Sequence, residues 1–322
     1  MTTTDHTAGS PGELTGRIAL VTGATRGAGR AIARQLAAAG AEVYCTGRST
    51  DASASDYGRQ ETIEETVRLI TSDGGTAHAR AVDHLKIDEV EQLIVDIDAA
   101  HGRLDILIND IGGEAYVAFD TPLWEYDWQQ GMRLFETGFM THLITSRCAL
   151  GLIVRNSGGL VVEITDGTRE YNAQTFRSTV FLDVTKTAVD RLAFATGHEL
   201  AAHGCTAVSV SPGWLRSEIM LDHFGVTEET WRSAAEANRG IPDALPPYEF
   251  VVSETPLMLA RGIAALAADR ERAKWNTRST SSFELAGHYG LTDADGSRPD
   301  SWRFIRDMET TSAANLDVSR YR

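Results

Sequence analysis

Short segments rich in apolar residues, continuous or alternating with polar ones, succeed one another along this chain with longer stretches between them in which apolar residues recur every three or four positions. The runs at 18–21, 41–46, 76–82, 104–109, 159–164 and 205–211 predict strands. The intervening stretches predict helices: one beginning with Ala31, Ile32, Leu36 and Ala37, then 61–70 with Ile63, Val67 and Ile70 on one face, 87–100, 128–155 and 183–202. A nearly continuous apolar run such as 104–109 is what a strand covered on both faces requires. Strict alternation of this kind predicts an α/β fold, a doubly wound parallel sheet with helices on both faces. Beyond Pro212 the pattern loosens, through Trp214, a segment at 218–231 and a proline-rich segment at 241–248. Thr255 as cap and Pro256 as first helical residue then open a helix over 257–268, and 278–281 predicts a last strand. The expected organisation is a disordered leader at 1–14, a single domain at 15–290 and a C-terminal extension at 291–322 that is polar after Asp307. Residues 214–250 are expected to form a substrate lid outside the carboxyl ends of the strands.

Charge and composition narrow the partners. The 322 residues are 42% hydrophobic, enough for a large core, and carry a net charge of −15, which opposes binding to nucleic acid or to anionic membranes. Any affinity for phosphate must be local. No apolar run is long enough to span a bilayer, and the first twelve residues lack the apolar centre of a secretory signal, so a soluble, cytoplasmic protein is expected. Cys45, Cys148 and Cys205 are far apart and without metal-type spacing, which points to reduced core thiols.

The chemistry begins at residues 17–29, R-I-A-L-V-T-G-A-T-R-G-A-G. A buried strand, a glycine turn and a helix in succession form a nucleotide site: Gly23 turns the chain, and Gly27 and Gly29 let a pyrophosphate approach the positive end of the helix. With Thr22 in front, the spacing T-G-x-x-x-G-x-G resembles the cofactor loop of the short-chain dehydrogenase/reductase family, and further segments resemble that family at the right places in the order of elements. Asp83 matches the acid that contacts adenine. Asn109-Asp110-Ile111-Gly112 takes the place of the family's N-N-A-G, Pro212-Gly213 with Ser217 matches the segment closing over the nicotinamide, and Lys186 matches the lysine of Y-x-x-x-K. The resemblance covers about residues 15–290 and implies a Rossmann-type fold, a nicotinamide cofactor held by Thr22, Gly23, Thr25, Arg26, Gly27, Gly29, Asp83, Asn109, Ile111, Gly112, Lys186, Pro212, Gly213 and Ser217, and a homodimer or homotetramer built on the helices at 128–155 and 183–202. Strand two ends Tyr44-Cys45-Thr46-Gly47-Arg48 without the carboxylate that favours NAD; Arg48 and Arg26 instead suit the 2′-phosphate of NADP(H).

The catalytic pattern is broken. The family's proton-donating tyrosine, four residues before the lysine and on the same helix face, is Leu182 here, which cannot donate a proton. Its serine is Asp166 by spacing, and its asparagine falls near Gly138. Asp166, raised in pKa by burial, or Tyr171 swinging in from the following loop, are the candidate replacement acids beside Lys186. An ionised Asp166 would instead suit an iminium substrate, which needs no proton when it accepts hydride. Three readings follow: an NADPH-dependent reductase of imines, a slow carbonyl reductase using Asp166 or Tyr171, and an NADP(H)-binding cyclase, isomerase or sensor without net redox chemistry. His142 is expected to be a satisfied core or surface side chain. His198 and His203 stand five apart, about 140° around a helix, so a zinc-protease site is excluded, and no metal is expected. Trp214, Phe224, Trp231 and Tyr248 suggest a fairly large, partly apolar small-molecule ligand.

Overall fold

The six runs and the 278–281 segment lie side by side as seven parallel strands, β1 (Ile18–Thr22), β2 (Glu42–Gly47), β3 (Thr76–Ala81), β4 (Ile106–Asn109), β5 (Leu160–Ile164), β6 (Thr206–Ser211) and β7 (Ser279–Ser281), in the order β3-β2-β1-β4-β5-β6-β7. The computed structural model describes residues 12–53 and 58–322. The helices are α1 (Gly27–Ala38), α2 (Ile63–Ser72), α3 (Ile87–His101), α4 (Trp128–Phe135), α5 (Thr141–Ile153), α6 (Arg169–Asn172), α7 (Val180–Leu200), α8 (Glu218–Phe224), α9 (Trp231–Ala237), α10 (Pro256–Ala268), α11 (Ser282–Tyr289) and α12 (Ser301–Met308). Ile32 and Leu36 of α1 pack with Leu259 and Ile263 of α10 on one face of the sheet. Val90, Leu93 and Ile97 of α3 pack with Leu152 of α5 on the other. The sheet is therefore the doubly wound, Rossmann-type layer that the alternation predicts. Its strand order reverses between β1 and β4, which pair from Ala19↔Ile106 to Thr22↔Asn109, and a crevice opens outside their carboxyl ends.

Local chemistry sets the element ends. Thr62, Thr179 and Thr255 cap α2, α7 and α10 with their side-chain oxygens, and Pro256 is the first residue of α10, where its missing N–H is harmless. Three differences from the sequence reading are larger than the shifts of one or two residues at ends such as those of α2 and β4. α1 starts at Gly27, ahead of its first apolar residue, because glycines carry no hydrophobic signal. α7 starts at Val180 rather than 183, fixed by its Thr179 cap. The stretch expected as one helix over 128–155 is two, joined by a π turn at Glu136–Met140. There the Thr137 and Thr141 hydroxyls each bond the carbonyl four residues back, both at 2.6 Å. Gly138 lies in this turn, where a Cβ would come within 2.8 Å of Thr185 on α7, so this residue serves helix packing.

The described residues nearest each end pack into the fold. Residues 1–11 of the expected leader lie outside the described residues, but Leu14 is buried and its N–H bonds the Ala39 carbonyl at 2.8 Å. The C-terminal extension is no polar appendage: Phe304 and Tyr321 join Trp231, Phe250 and Val252 in a second core, and the Trp302 indole donates to the Pro212 carbonyl at 2.9 Å. Residues of the 214–250 segment and of the extension thus pack as one unit against the end of β6. Cys45, Cys148 and Cys205 are free thiols, and no described helix is long and apolar enough to cross a membrane.

Candidate active site

Where β1 runs into α1, the chain passes close under the loop that follows β4. Gly23 has φ +75°, and a Cβ on it would meet the Asp110 carbonyl oxygen at 2.5 Å; on Gly29 it would meet the Gly23 oxygen at 2.4 Å. Only glycine fits either place, and the result is an open cradle at the positive end of a twelve-residue helix. That end already holds an anion. The Gly27 N–H donates to a Glu218 carboxylate oxygen at 2.9 Å, so a negative group of the protein itself sits at this positive pole. Thr22 accepts the Asp110 N–H at 3.3 Å and ties the cradle to the loop after β4, while the Thr25 carbonyl takes two N–H bonds from Arg30. Arg26 pairs with Glu61 at 3.4 Å, and Glu61 also takes a bidentate bond from Arg59. Arg48 follows the carboxyl end of β2, and Asp83 follows β3 with its carboxylate accepting the Leu85 N–H at 3.1 Å. The donor set fits a dinucleotide with phosphates.

The Asn109 to Gly112 loop is held from beneath by a buried polar network. Asn109 donates to Glu163 and Ser146, both at 3.0 Å, and His142 bonds Glu163 at 2.7 Å through Nδ1 and the Ile111 carbonyl at 3.0 Å through Nε2. His142 is thus a satisfied core side chain, as expected, and its work is to fix the Ile111 backbone. Asp110, the departure from the family's second asparagine, lies against the cradle. Burial pushes its carboxyl up to about 8, Glu114 adds to this, and Lys186 and the Gly29 N–H oppose it.

The expected catalytic residues converge. Asp166 at the end of β5, Tyr171 on α6 and Leu182 on α7 line one cavity of about 230 Å³ with Glu114, Phe176 and Arg177. Lys186, one turn beyond Leu182, reaches the same place and forms an ion pair with Glu114. Burial works against the Lys186 charge, and the Glu114 and Asp166 carboxylates more than offset it, so the lysine titrates above its ordinary range. Glu114 is exposed at the cavity mouth, and the Lys186 ammonium beside it holds its carboxyl below the ordinary value.

Two expectations change here. Asp166 is not a lone carboxyl in an apolar slot: its Oδ2 takes a hydrogen bond from Arg177 at 2.5 Å, so it is built as one half of an ion pair. Tyr171 does not hang on a free loop. It is buried on α6, its ring 4.7 Å from that of Trp302 and under the Arg177 guanidinium at 5.7 Å. Packing locks it in the wall. Glu114 and Arg177 escaped the sequence reading because each comes from a connecting segment, one just past the N-D-I-G loop and the other just before α7. An acid two residues after the N-D-I-G glycine was the available signal for the first. Gly213 and Ser217 frame the crevice from the far side: Gly213 donates to Ser282 at 3.2 Å, and Ser217 precedes α8, whose first residue is Glu218. Among the described residues no group of three or more His, Cys, Asp or Glu side chains is placed to hold a metal ion.

Known proteins resemble this chain in sequence and fold. The family model described as short chain dehydrogenase matches residues 17–224. Dehydrogenase/reductase SDR family member 1 of Homo sapiens is 30% identical over 292 residues, 88% of this chain and 85% of that protein. The 3-oxoacyl-[acyl-carrier-protein] reductase of Synechocystis is 29% identical over 218 residues, 64% of this chain and 77% of that protein. Among solved structures, a metagenomic short-chain oxidoreductase in complex with NADP superposes with a TM-score of 0.60 at 22% identity, covering 81% of this chain and 94% of that one.

Proposed function

This chain belongs to the short-chain dehydrogenase/reductase family, and we propose that within it the chain is an NADP(H)-dependent reductase of a small organic carbonyl compound. The observation that carries the reading is that Asp166 and Glu114, the ion-pair partner of Lys186, line one cavity beside the glycine cradle, past the carboxyl ends of β4 and β5. Gly27 and Gly29 with the end of α1 would bind the pyrophosphate, Arg26 and Arg48 the 2′-phosphate, Asp83 the adenine, and Lys186 the nicotinamide ribose. The solved NADP complex lends this cofactor further support. When bound, the cofactor supplies the hydride. Asp166, Tyr171 and Leu182 then form the walls that orient the substrate, and Lys186 holds positive charge beside the reacting centre. The Asp166–Arg177 pair favours a neutral carbonyl over a preformed iminium, because the guanidinium repels a second cation at the Asp166 carboxylate. Exposed apolar side chains on α4 and α7, such as Trp128 and Val184, support a homodimer or homotetramer built on that face.

Fluorescence titration with NADPH and NADH, followed by a screen of ketones, aldehydes and imines for loss of NADPH absorbance, tests the reading. NADPH is expected to bind at least about tenfold tighter than NADH, the worth of one charge-assisted hydrogen bond, and carbonyls are expected to be turned over. Tight binding with no oxidation by any carbonyl or imine would leave the cyclase, isomerase or sensor reading in its place.

A further inference from the structure

The missing tyrosine leaves a question of charge. A carbonyl that accepts hydride becomes an alkoxide, and no phenol stands at position 182 to neutralise it. One donor in the cavity is placed for that task. Arg177 bonds Asp166, the residue at the family's carbonyl-orienting position, through Nη2 at 2.5 Å. Its backbone is pinned at the entry to α7, where its N–H bonds Asp183 at 3.0 Å and its carbonyl accepts the Thr179 N–H at 2.6 Å. Its guanidinium lies against the rings of Trp302 and Tyr171, at 5.0 and 5.7 Å from their centroids. Its Nε is buried and has no hydrogen-bond partner among the described residues. A fixed cation that lines the cavity together with Asp166 and Leu182 is built for an oxygen that becomes negative.

We propose that Arg177 is the electrophile of this site: its guanidinium, oriented by Asp166, hydrogen-bonds the substrate carbonyl oxygen and stabilises the alkoxide in place of the absent phenol. This rests on the carbonyl-reductase reading above. The carbonyl carbon accepts hydride from the dihydronicotinamide, the π pair moves to oxygen, and the alkoxide forms against the guanidinium. A proton from water completes the alcohol, and the cofactor leaves as NADP⁺. Arg177 keeps its own protons throughout, since a guanidinium is not deprotonated in proteins. Asp166 is a positioning residue in this scheme, not the acid.

The test uses the full chain with NADPH and benzil, an activated diketone whose reduction is followed by absorbance. Arg177→Ala is expected to lower kcat by about 100-fold or more, the usual effect of deleting one donor to an oxyanion. NADPH binding, read by fluorescence, is expected to stay within about twofold, which also establishes that the variant is folded. Guanidinium chloride at tens of millimolar, far below denaturing concentrations, is expected to restore part of the lost rate in a saturable manner while leaving the wild type unchanged. Arg177→Lys should fall between the two, because a point charge lacks the planar fork. A variant that binds NADPH and retains wild-type kcat overturns the proposal, and so does a loss of rate that guanidinium does not touch, which would assign Arg177 to packing. If the wild type reduces neither benzil nor any other carbonyl, the parent reading fails first and the proposal falls with it.

Discussion

Leu182 stands on the cavity wall one helical turn before Lys186, on the same face of α7, so a phenol placed there would lie within reach of the ammonium. The cavity of about 230 Å³ in front of it has room for the larger side chain. Leu182→Tyr is therefore expected to raise kcat for ketones by about 10-fold or more, toward the 10² to 10⁴ that a positioned acid supplies. The gain should fade as pH rises through the phenol's pKa, because reduction needs the protonated form. A pH profile of kcat for both proteins checks this; a folded, NADPH-binding variant with unchanged rate would mean that the position no longer faces the reacting atoms. Leu182 and Asp166 were legible in the sequence because each is fixed by short-range spacing, one from a lysine on the same helix, the other from the end of a strand. Arg177 and Glu114 were not legible, because they meet their partners across 11 and 72 residues through segments without any periodic pattern. The charge of a carboxylate can be read from sequence, whereas its counter-ion cannot.

Among the elements, α8 is the one whose place changes the view of the cofactor site. It was expected as part of a substrate lid, but its first residue, Glu218, lies on the Gly27 N–H at 2.9 Å and 3.9 Å from Arg30, and its Asp222 pairs with Arg59 at 2.8 Å. The carboxylate of α8 thus occupies the position at the end of α1 proposed for the pyrophosphate, and the two would compete for one positive pole. Glu218→Gln removes the competing charge. Its expected outcome is several-fold tighter NADPH binding by fluorescence titration, together with a small drop in Tm, since a charge at a helix N-terminus is worth about 0.3–1 kcal/mol. Unchanged or weaker binding would place the cofactor's phosphates elsewhere. The sheet and its flanking helices were readable because each strand and helix announces its own burial pattern. The π turn within 128–155 and the docking of α12 were not, since the first leaves the apolar rhythm intact and the second depends on pairings such as Trp302 with Tyr171, 4.7 Å apart in space and remote in sequence.

At the scale of the whole molecule, the lid, the C-terminal extension and the sheet meet on one buried acid. Glu254 is fully buried; its N–H donates to the Trp214 carbonyl at 2.9 Å, its carbonyl accepts the Arg216 N–H at 2.7 Å, and its carboxyl accepts the Ser282 hydroxyl at 2.7 Å. The charged groups around it are Asp293, bonded through Thr255 at the start of α10, and Arg216, which lies 3.8 Å from Asp293, 3.3 Å from Glu228 and over the Trp231 ring. Burial pushes the Glu254 carboxyl up to about 8; Ser282 and Arg216 pull against this and Asp293 adds to it. In the unfolded chain the same group titrates near 4.3. Between those two values the folded protein holds a proton that the unfolded chain has lost, so the stabilising contribution is complete below about pH 4 and is lost progressively as pH rises to about 8. Glu254→Gln keeps the shape and removes the titration. The Tm of the variant is expected to match the wild type near pH 5 and to exceed it by a few degrees near pH 8.5, a gap that widens with pH and is measured by calorimetry on the two proteins side by side. A gap independent of pH would show that Glu254 stays ionised in the fold, with Arg216 carrying its charge, and that the joint between lid and sheet is an ion pair. Because the same cluster backs Gly213, which borders the proposed nicotinamide position, the outcome also predicts whether NADPH affinity follows stability across this pH range: with a protonated Glu254, loosening of the joint above pH 8 reaches the cofactor segment, and with an ion pair it does not.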